Sequence, residues 1–303
     1  NPNHLNPSIM SFSYSGLDLK LFVISVVKPP FCDSIQKFLI HSSIIMYYTD
    51  LKHFKGLSGY EIDGVWYPRV TKIIDIKSKP ALYRFYAEMN NFAEGEAVKK
   101  QSASEGTLIH ETVEKIFHGK LQNIDPLISP AINAFLKFRE EKNIQVDLEF
   151  VEKQVVNYDE RYAGTIDAVA LIDGKFGVLD IKTSQAIYRD YNLQTGAYIA
   201  ALEKNLKNLQ TRWILRIDQI KTCLKCKATL RVKGGRQKIK LPWNGKTYDF
   251  KAKNCAHEWS ELKGDIELKE FPYWQEDYQA FLGAKKLWEW ENDYWLKQEG
   301  YLF

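Results

Sequence analysis

The sequence has few cysteines, no long apolar run and little excess of charge of either sign. Four cysteines in 303 residues are too few for the disulfide framework of a stapled secreted domain. Two apolar runs, at 21–27 and 38–45, stop well short of the roughly 18 residues that a membrane-spanning helix needs. There is thus no firm membrane signal, and no cleavage pattern follows closely enough to mark a signal peptide. A formal net charge of +4 is modest, so any attraction for a polyanion must come from how the charge is distributed. What is there, 45% hydrophobic and 26% charged residues, is the composition of a globular protein. The expected location is intracellular and cytoplasmic, a phage or other viral source included.

On length the chain forms about two domains of roughly 150 residues, or one elaborated domain. Residues 1–45 fit poorly with the remainder and read as an extension outside the functional unit, with Met46 as a natural start. A helical or membrane-touching arm is the other reading of that stretch.

The stretch that organises the chain is 161–198. Gly164, Thr165, Ile166 and Asp167 open an alternation that runs on toward Leu171, as in a half-buried strand. Asp173-Gly174 is a hairpin turn signal. The second strand, 176–183, carries Asp180 and Lys182 two residues apart, so both side chains leave one face. Asp167 can reach that face from the neighbouring strand. Asp180 interrupts the apolar run of Val178, Leu179 and Ile181, and a charge embedded there needs a partner or a metal. Two carboxylates and a lysine around one point can bind a hard divalent cation and hold a charge over a scissile phosphate. A helix over 192–203 follows, on which Gln194 and Tyr198 stand four apart and point the same way.

Gly-Thr-Ile-Asp, Leu-Asp-Ile-Lys-Thr and Gln-x-x-x-Tyr together resemble the PD-(D/E)XK nuclease superfamily, and within it the RecB-like and Cas4-like exonucleases of phage and mitochondrial-genome-maintenance type. The usual Pro-Asp pair is replaced by Ile166-Asp167. The resemblance implies an α/β restriction-endonuclease-like core, a mixed central β-sheet flanked by helices. Its implied catalytic residues are Lys182, Asp180, Asp167, Gln194 and Tyr198. The implied cofactor is Mg2+ or Mn2+. A Gly-x-x-x-His motif of the same family is matched by Gly106 and His110, which adds His110 to Asp167 and Asp180 as metal ligands. Glu152 and the carbonyl of Ile181 are lesser candidates. Implied partners are DNA, as single strands, together with a helicase, recombinase or single-strand-binding protein.

The flanking segments extend the likeness. Tyr67, Pro68, Val70 and Thr71 match a Tyr-Pro-x-Val-Thr stretch that precedes a helical region in these exonucleases, with Asp63-Gly64 as a turn and Thr71 as a helix cap. Pro80 opens one helix, and Ile109, Val113, Ile116 and Phe117 form the buried stripe of another, beside which His110 and Glu114 make a separate pair. Residues 123–142 read as helix, 148–156 as a strand with Glu152 in its middle, 211–217 and 266–271 as strands, and 273–295 as an aromatic-rich helix. Helix over 75–145 suffices for an opening that threads a free DNA end.

Between the last two strands, 219–264 carries a second constellation, which leaves 46–218 and 265–303 as the nuclease domain. Cys223-x-x-Cys226 and, after 28 intervening residues, Cys255-x-His257 make a soft set suited to structural Zn2+, a zinc-ribbon-like module. A redox pair is the rival for Cys-x-x-Cys, but no thioredoxin-like context surrounds it. A Cas4-like iron–sulphur cluster is the other, and Cys32 with the three later cysteines does not flank the core in that pattern. Residues 221–257 hold eleven Lys or Arg against Asp249 alone, a formal +10, so the rest of the chain is at −6. Lys225, Lys227, Arg231, Lys233, Arg236, Lys238, Lys240 and Trp243 are therefore the expected nucleic-acid contacts, standing apart from the catalytic carboxylates. A nucleic-acid-binding module on a degenerate nuclease fold is the alternative for the whole chain.

Overall fold

In the computed structural model residues 48–243 and 245–303 are described, and the unit of interest is Asp50–Phe303. The expected extension at 1–45, Cys32 included, lies outside the described residues. Strands in chain order are β1 (Gly59–Ile62), β2 (Val65–Pro68), β3 (Gln145–Asp147), β4 (Lys153–Asn157), β5 (Tyr162–Ile166), β6 (Ala168–Ile172), β7 (Lys175–Lys182), β8 (Thr211–Thr222), β9 (Thr229–Lys233), β10 (Arg236–Lys240) and β11 (Lys263–Glu270). The central sheet runs β10-β9-β8-β7-β6-β3, with β11 also on β8. It is mixed: β7 is antiparallel to β6 and parallel to β8, reached through the helix Asp190–Leu202. Hairpins β1–β2 and β4–β5 stand outside that sheet.

Asp173 and Gly174, at φ +50° and +76°, make the tight turn that sets β6 against β7. Leu179 and Ile181 then point into a core with Ile109, Val113, Ile132 and Phe135, supplied by the helices Phe92–Phe117 and Ser129–Glu141. Alternate positions, Asp180 and Lys182, face the helix Asp190–Leu202 instead. Asn91 starts the 26-residue His110 helix by accepting the Glu94 N–H (2.9 Å). Among the described residues no helix is long and apolar enough to cross a membrane.

Five sequence expectations change. The helix over 123–142 begins only at Ser129 and ends at Glu141. The strand through Gly164–Leu171 is two strands, because the chain leaves β4–β5 for the central sheet at Asp167, and both pieces are buried on each face rather than half-buried. The strand over 148–156 is a 3-10 turn, Leu148–Phe150, capped by the Asp147 carboxylate, and β4 begins only at Lys153. Glu152 is therefore not mid-strand; it sits at φ +48° with its N–H on the Asp167 carbonyl (3.1 Å). Thr71 lies inside the helix Val70–Ile74 and does not cap it. The aromatic closing helix breaks at Asn292 into Gln275–Glu291 and Asp293–Gln298, which lets Trp295 stack on Phe54 (ring centroids 5.9 Å).

The segment expected to begin at 219 is entered without a break. β8 continues to Thr222, where β9 pairs with it at Lys221 and Thr222. Residues 258–260 occupy the other edge of 222–224, so β9 takes the edge that β7 uses further back. The β9–β10 turn, Gly234-Gly235, lies on the His110 helix, with the Gly234 N–H on the Glu105 carboxylate (3.0 Å). Gly234 is at φ +61°, and a Cβ there would meet Ser102 Oγ at 2.2 Å and the Val98 carbonyl at 2.4 Å. Gly234→Ala is expected to cost about 2 kcal/mol or more from strain plus overpacking. Gly245→Ala, at φ +91° with open space around it, should cost only the strain term. Urea midpoints of the two variants check this, and equal losses would mean the turn is not seated on the helix.

Candidate active site and metal centres

Asp167 stands where the chain passes between sheets. Its Oδ2 accepts the Ile181 N–H at 2.5 Å, and its Oδ1 lies 3.6 Å from His110 Nδ1. His110, Glu152 and Asp167 each offer a ligand atom within 4.8 Å of the other two. They line an open cleft of about 430 Å³ together with Gly106, Glu114 and Thr183. The left-handed turn at Glu152 is what swings its carboxylate back over Asp167. One imidazole and two carboxylates form a donor set that accepts Mn2+ as well as Mg2+.

The electrostatics fit a cation as well. Burial would raise the Asp167 carboxyl, but the His110 ring, Lys182 and the Ile181 N–H hold it below its ordinary value. His110 is raised, since the Asp167 carboxylate outweighs burial. Glu152 as a residue is exposed, yet the cleft walls around its carboxyl and the Asp167 charge push it up to about 7. An entering ion must displace the proton that Glu152 carries below that pH, and the one His110 holds. Mn2+ affinity is thus expected to rise about tenfold per pH unit below 7, more steeply where both groups titrate. Glu152→Gln should remove the carboxyl's share of that slope. Mn2+ titrations followed by electron paramagnetic resonance at three pH values check it, and a flat profile counts against the cluster.

Asp180 lies behind this set and outside its ligand atoms. It is 1% exposed; its Oδ1 accepts from Lys182 Nζ (2.9 Å) and Gln194 Nε2 (3.2 Å). Oδ2 is 2.7 Å from the same ammonium but outside hydrogen-bond geometry, which leaves a buried carboxylate oxygen unsatisfied. Burial pushes Asp180 up to about 6 against the pull of Lys182. Lys182 also donates to Gln194 Oε1 (3.2 Å) and lies over the Tyr191 ring at 5.1 Å. Asp180 and Asp167 raise its pKa despite burial, so it remains an ammonium. Gln194 Nε2 in turn donates to the Tyr198 hydroxyl (3.0 Å). Gly164 is where Tyr198 packs: a Cβ there would lie 2.4 Å from Tyr198 Cε1. The Gly-Thr of the sequence motif and the Tyr of the helix motif are one contact.

The second cluster is Cys223, Cys226, Cys255 and His257, whose ligand atoms all lie within 4.8 Å of one another. Metal–ligand bonds of about 2.3 Å to sulfur and 2.0 Å to nitrogen put tetrahedral ligand atoms roughly 3.5–3.8 Å apart. Here Cys223 Sγ and Cys255 Sγ are 4.0 Å apart, and Cys226 Sγ is 3.4 Å from His257 Nδ1. The three thiols are free. Against the cost of burial, backbone N–H groups of Cys226, Glu258 and Lys225 and the His257 ring hold the Cys223 thiol down at about 5. Such a nest of donors suits a thiolate ligand.

The basic residues split into two groups. Opposed pairs on β9–β10 put Arg231, Lys233, Arg236, Lys238 and Lys240 on one face of the hairpin. Three of them are tied to the protein. Arg231 donates to Asp218 (2.5 Å) and to the Thr183 carbonyl (3.0 Å), Lys233 to the same carbonyl (2.5 Å), and Arg236 pairs with Glu88 (2.5 Å). Lys238 and Lys240 are exposed; Lys225 and Lys227 at the knuckle are exposed as well, Lys225 pairing with Glu258 (3.5 Å) and Lys227 donating to the Leu224 carbonyl (3.3 Å). Trp243 is 55% exposed with its ring edge-on to Tyr248 at 4.9 Å. The insert does not stand apart from the cleft as expected: β9 touches Thr183, the residue after Lys182. Sequence reasoning missed Thr183, Tyr191 and the Asp218 partner of Arg231; the Leu-Asp-Ile-Lys-Thr motif contains Thr183 and was the signal for it.

No family model matches the chain, and no curated protein matches it. Among solved structures the chain has a TM-score of 0.31 and 14% identity to one titled "Crystal structure of SSO0001", over 88% of this chain and 96% of that one, a likeness too distant to bear on fold or chemistry. The molecule is a mixed α/β protein with two candidate metal centres, one hard and acidic, one soft and thiol-rich, joined by a basic hairpin.

Proposed function

We propose that the chain is a divalent-metal-dependent deoxyribonuclease of the PD-(D/E)XK superfamily, in its RecB-like branch with a restriction-endonuclease-like core, acting on single-stranded DNA ends. The observation that carries this is the His110–Glu152–Asp167 cluster beside a buried Lys182 ammonium held by Asp180 and Gln194. A bound Mg2+ or Mn2+ supplies Lewis-acid polarisation of a phosphate and an activated water. Asp167, His110 and Glu152 hold that ion, and Asp167 is fixed for the task by the Ile181 N–H. Lys182, kept protonated by two carboxylates, stabilises the negative charge that grows on the phosphate. Gln194 fixes where that ammonium points, and Tyr198 fixes Gln194. Three cysteine sulfurs and one imidazole within 4.8 Å of one another favour structural Zn2+ in the insert over an iron–sulphur cluster.

The test is cleavage of a labelled linear single strand beside its closed circular form, in Mg2+ and in Mn2+, with D180A and K182A as controls. Cleavage of the linear form alone, lost in both variants, supports the reading. Equal cleavage of the circle rejects action at ends, and unchanged cleavage by the variants rejects the site. Binding without any cleavage by the wild type would make the chain a nucleic-acid-binding module on a nuclease-like frame.

A further inference from the structure

Lys233 belongs to the insert, yet its ammonium reaches two residues of the cleft wall. It donates to the Thr183 carbonyl and would be 4.0 Å from a Cβ on Gly106, two residues that line the cleft wall. Gly106 stands four residues before His110, about 6 Å along the helix axis. An ammonium has three donors. The acids nearest Lys233 are already engaged: Asp218 by Arg231 and Arg216, and Glu105 by the Gly234 N–H. Arg231 beside it adds charge of the same sign, and burial followed by that neighbour pushes Lys233 down to about 8. A half-buried cation with spare donors and, among the described residues, no carboxylate of its own is completed by an oxyanion from outside. Gly106 keeps that approach open, since a methyl there would sit 2.8 Å from Thr183 Oγ1.

We propose that Lys233 is a phosphate-binding residue of the cleft, holding a backbone phosphate one linkage away from the phosphate at the His110–Glu152–Asp167 cluster. The inference rests on the nuclease reading only for the identity of the polyanion. It gives the insert a place in the site itself: β9 runs from the Cys223 knuckle to the cleft wall and delivers one cation there, while Lys238 and Lys240, further along the same face of the hairpin, remain exposed. A phosphate at Lys233 would fix the neighbouring linkage against Lys182.

The experiment uses the full chain with the oligonucleotide dT8 in Ca2+, where binding is read without cleavage. A single neutral methylphosphonate is walked along the oligonucleotide. The wild type should lose about tenfold in affinity at one linkage beyond the loss at the others. K233M should lose about tenfold for unmodified dT8 and show no further loss at that linkage, while K233R keeps the penalty. K238M should weaken every oligonucleotide alike. Losses that simply add for K233M at every linkage overturn the proposal. So does a K233M protein with wild-type affinity, or one that cuts slowly yet binds normally, since Lys233 would then only brace Thr183. Because binding is read throughout, a wild type that never cuts sinks the nuclease reading and leaves the Lys233 result standing or falling by itself.

Discussion

Asp167→Asn is expected to abolish Mn2+ binding in the cleft and to lower cleavage by about 1,000-fold or more, roughly 4 kcal/mol in the barrier. The substitution keeps an oxygen for the Ile181 N–H, so the junction between β5 and β6 survives. What it removes is the one charge that faces His110 and Glu152 at once. His110 then loses the carboxylate that raised it, and Glu152 loses the neighbour that helped to raise it, so the ion is left with one carboxylate. Lys182→Met should give the opposite split: cleavage falls as far, while Mn2+ binding is retained or tightened, because a cation has left the site. Electron paramagnetic resonance with each variant, beside cleavage rates, separates the two. Full Mn2+ affinity in D167N would move the metal elsewhere.

The second large effect is expected at the other centre. Cys223→Ser should release the soft metal and unseat β9 and β10. Structural zinc in small modules contributes about 10–16 kcal/mol of apparent binding energy, and apart from it the segment is held by its short pairing with β8 and by polar ties rather than by apolar packing, since four of five β10 residues are exposed. The Cys223 backbone also closes the knuckle, its N–H on the Ala228 carbonyl (2.7 Å), just where β9 begins. Because β9 ends on Thr183, loss of this metal should reduce the cleavage rate at saturating DNA as well as affinity, by about tenfold each. Metal content by mass spectrometry, then single-turnover rates at low salt, provide the check. A variant free of zinc that cuts at the wild-type rate once saturated would show that the insert only grips.

How far the sequence led depended on whether a feature was local. Asp180 and Lys182 were legible because period 2 and an apolar run fix their face without reference to anything distant. Gln194 and Tyr198 were legible for the same reason at period 4. The knuckle ligands follow from spacing and the preference of soft donors for one another. Glu152 failed in its conformation: the apolar alternation of 148–156 reads as strand, but the Asp147 cap and a left-handed residue are tertiary choices that periodicity does not contain. Asp180 reads as a metal ligand; in the fold its Oδ1 accepts from Lys182 and Gln194, and Glu152 joins His110 and Asp167 in the cluster, a grouping that depends on the turn after Phe150. Arg212 was invisible as well. Within an apolar strand it reads as a stray charge, and its full burial against Asp277 depends on a helix 65 residues away.

β8 has a consequence of scale. Its residue Arg216 is level with Lys182 on β7, and Cys223 follows seven residues later along the same extended chain. At about 3.3 Å per residue that is roughly 23 Å of stiff strand between the cleft and the thiolate knuckle. β11 pairs with that span as far as Ile220 and β9 takes over at Lys221, and a strand so paired does not stretch, so the two centres are held at a fixed separation, as marks on a ruler are. Any polymer that engages both must span that length. Substrate size is then measured by the protein itself: strands too short to reach from the cleft to the exposed lysines of the knuckle forfeit those contacts all at once rather than one by one.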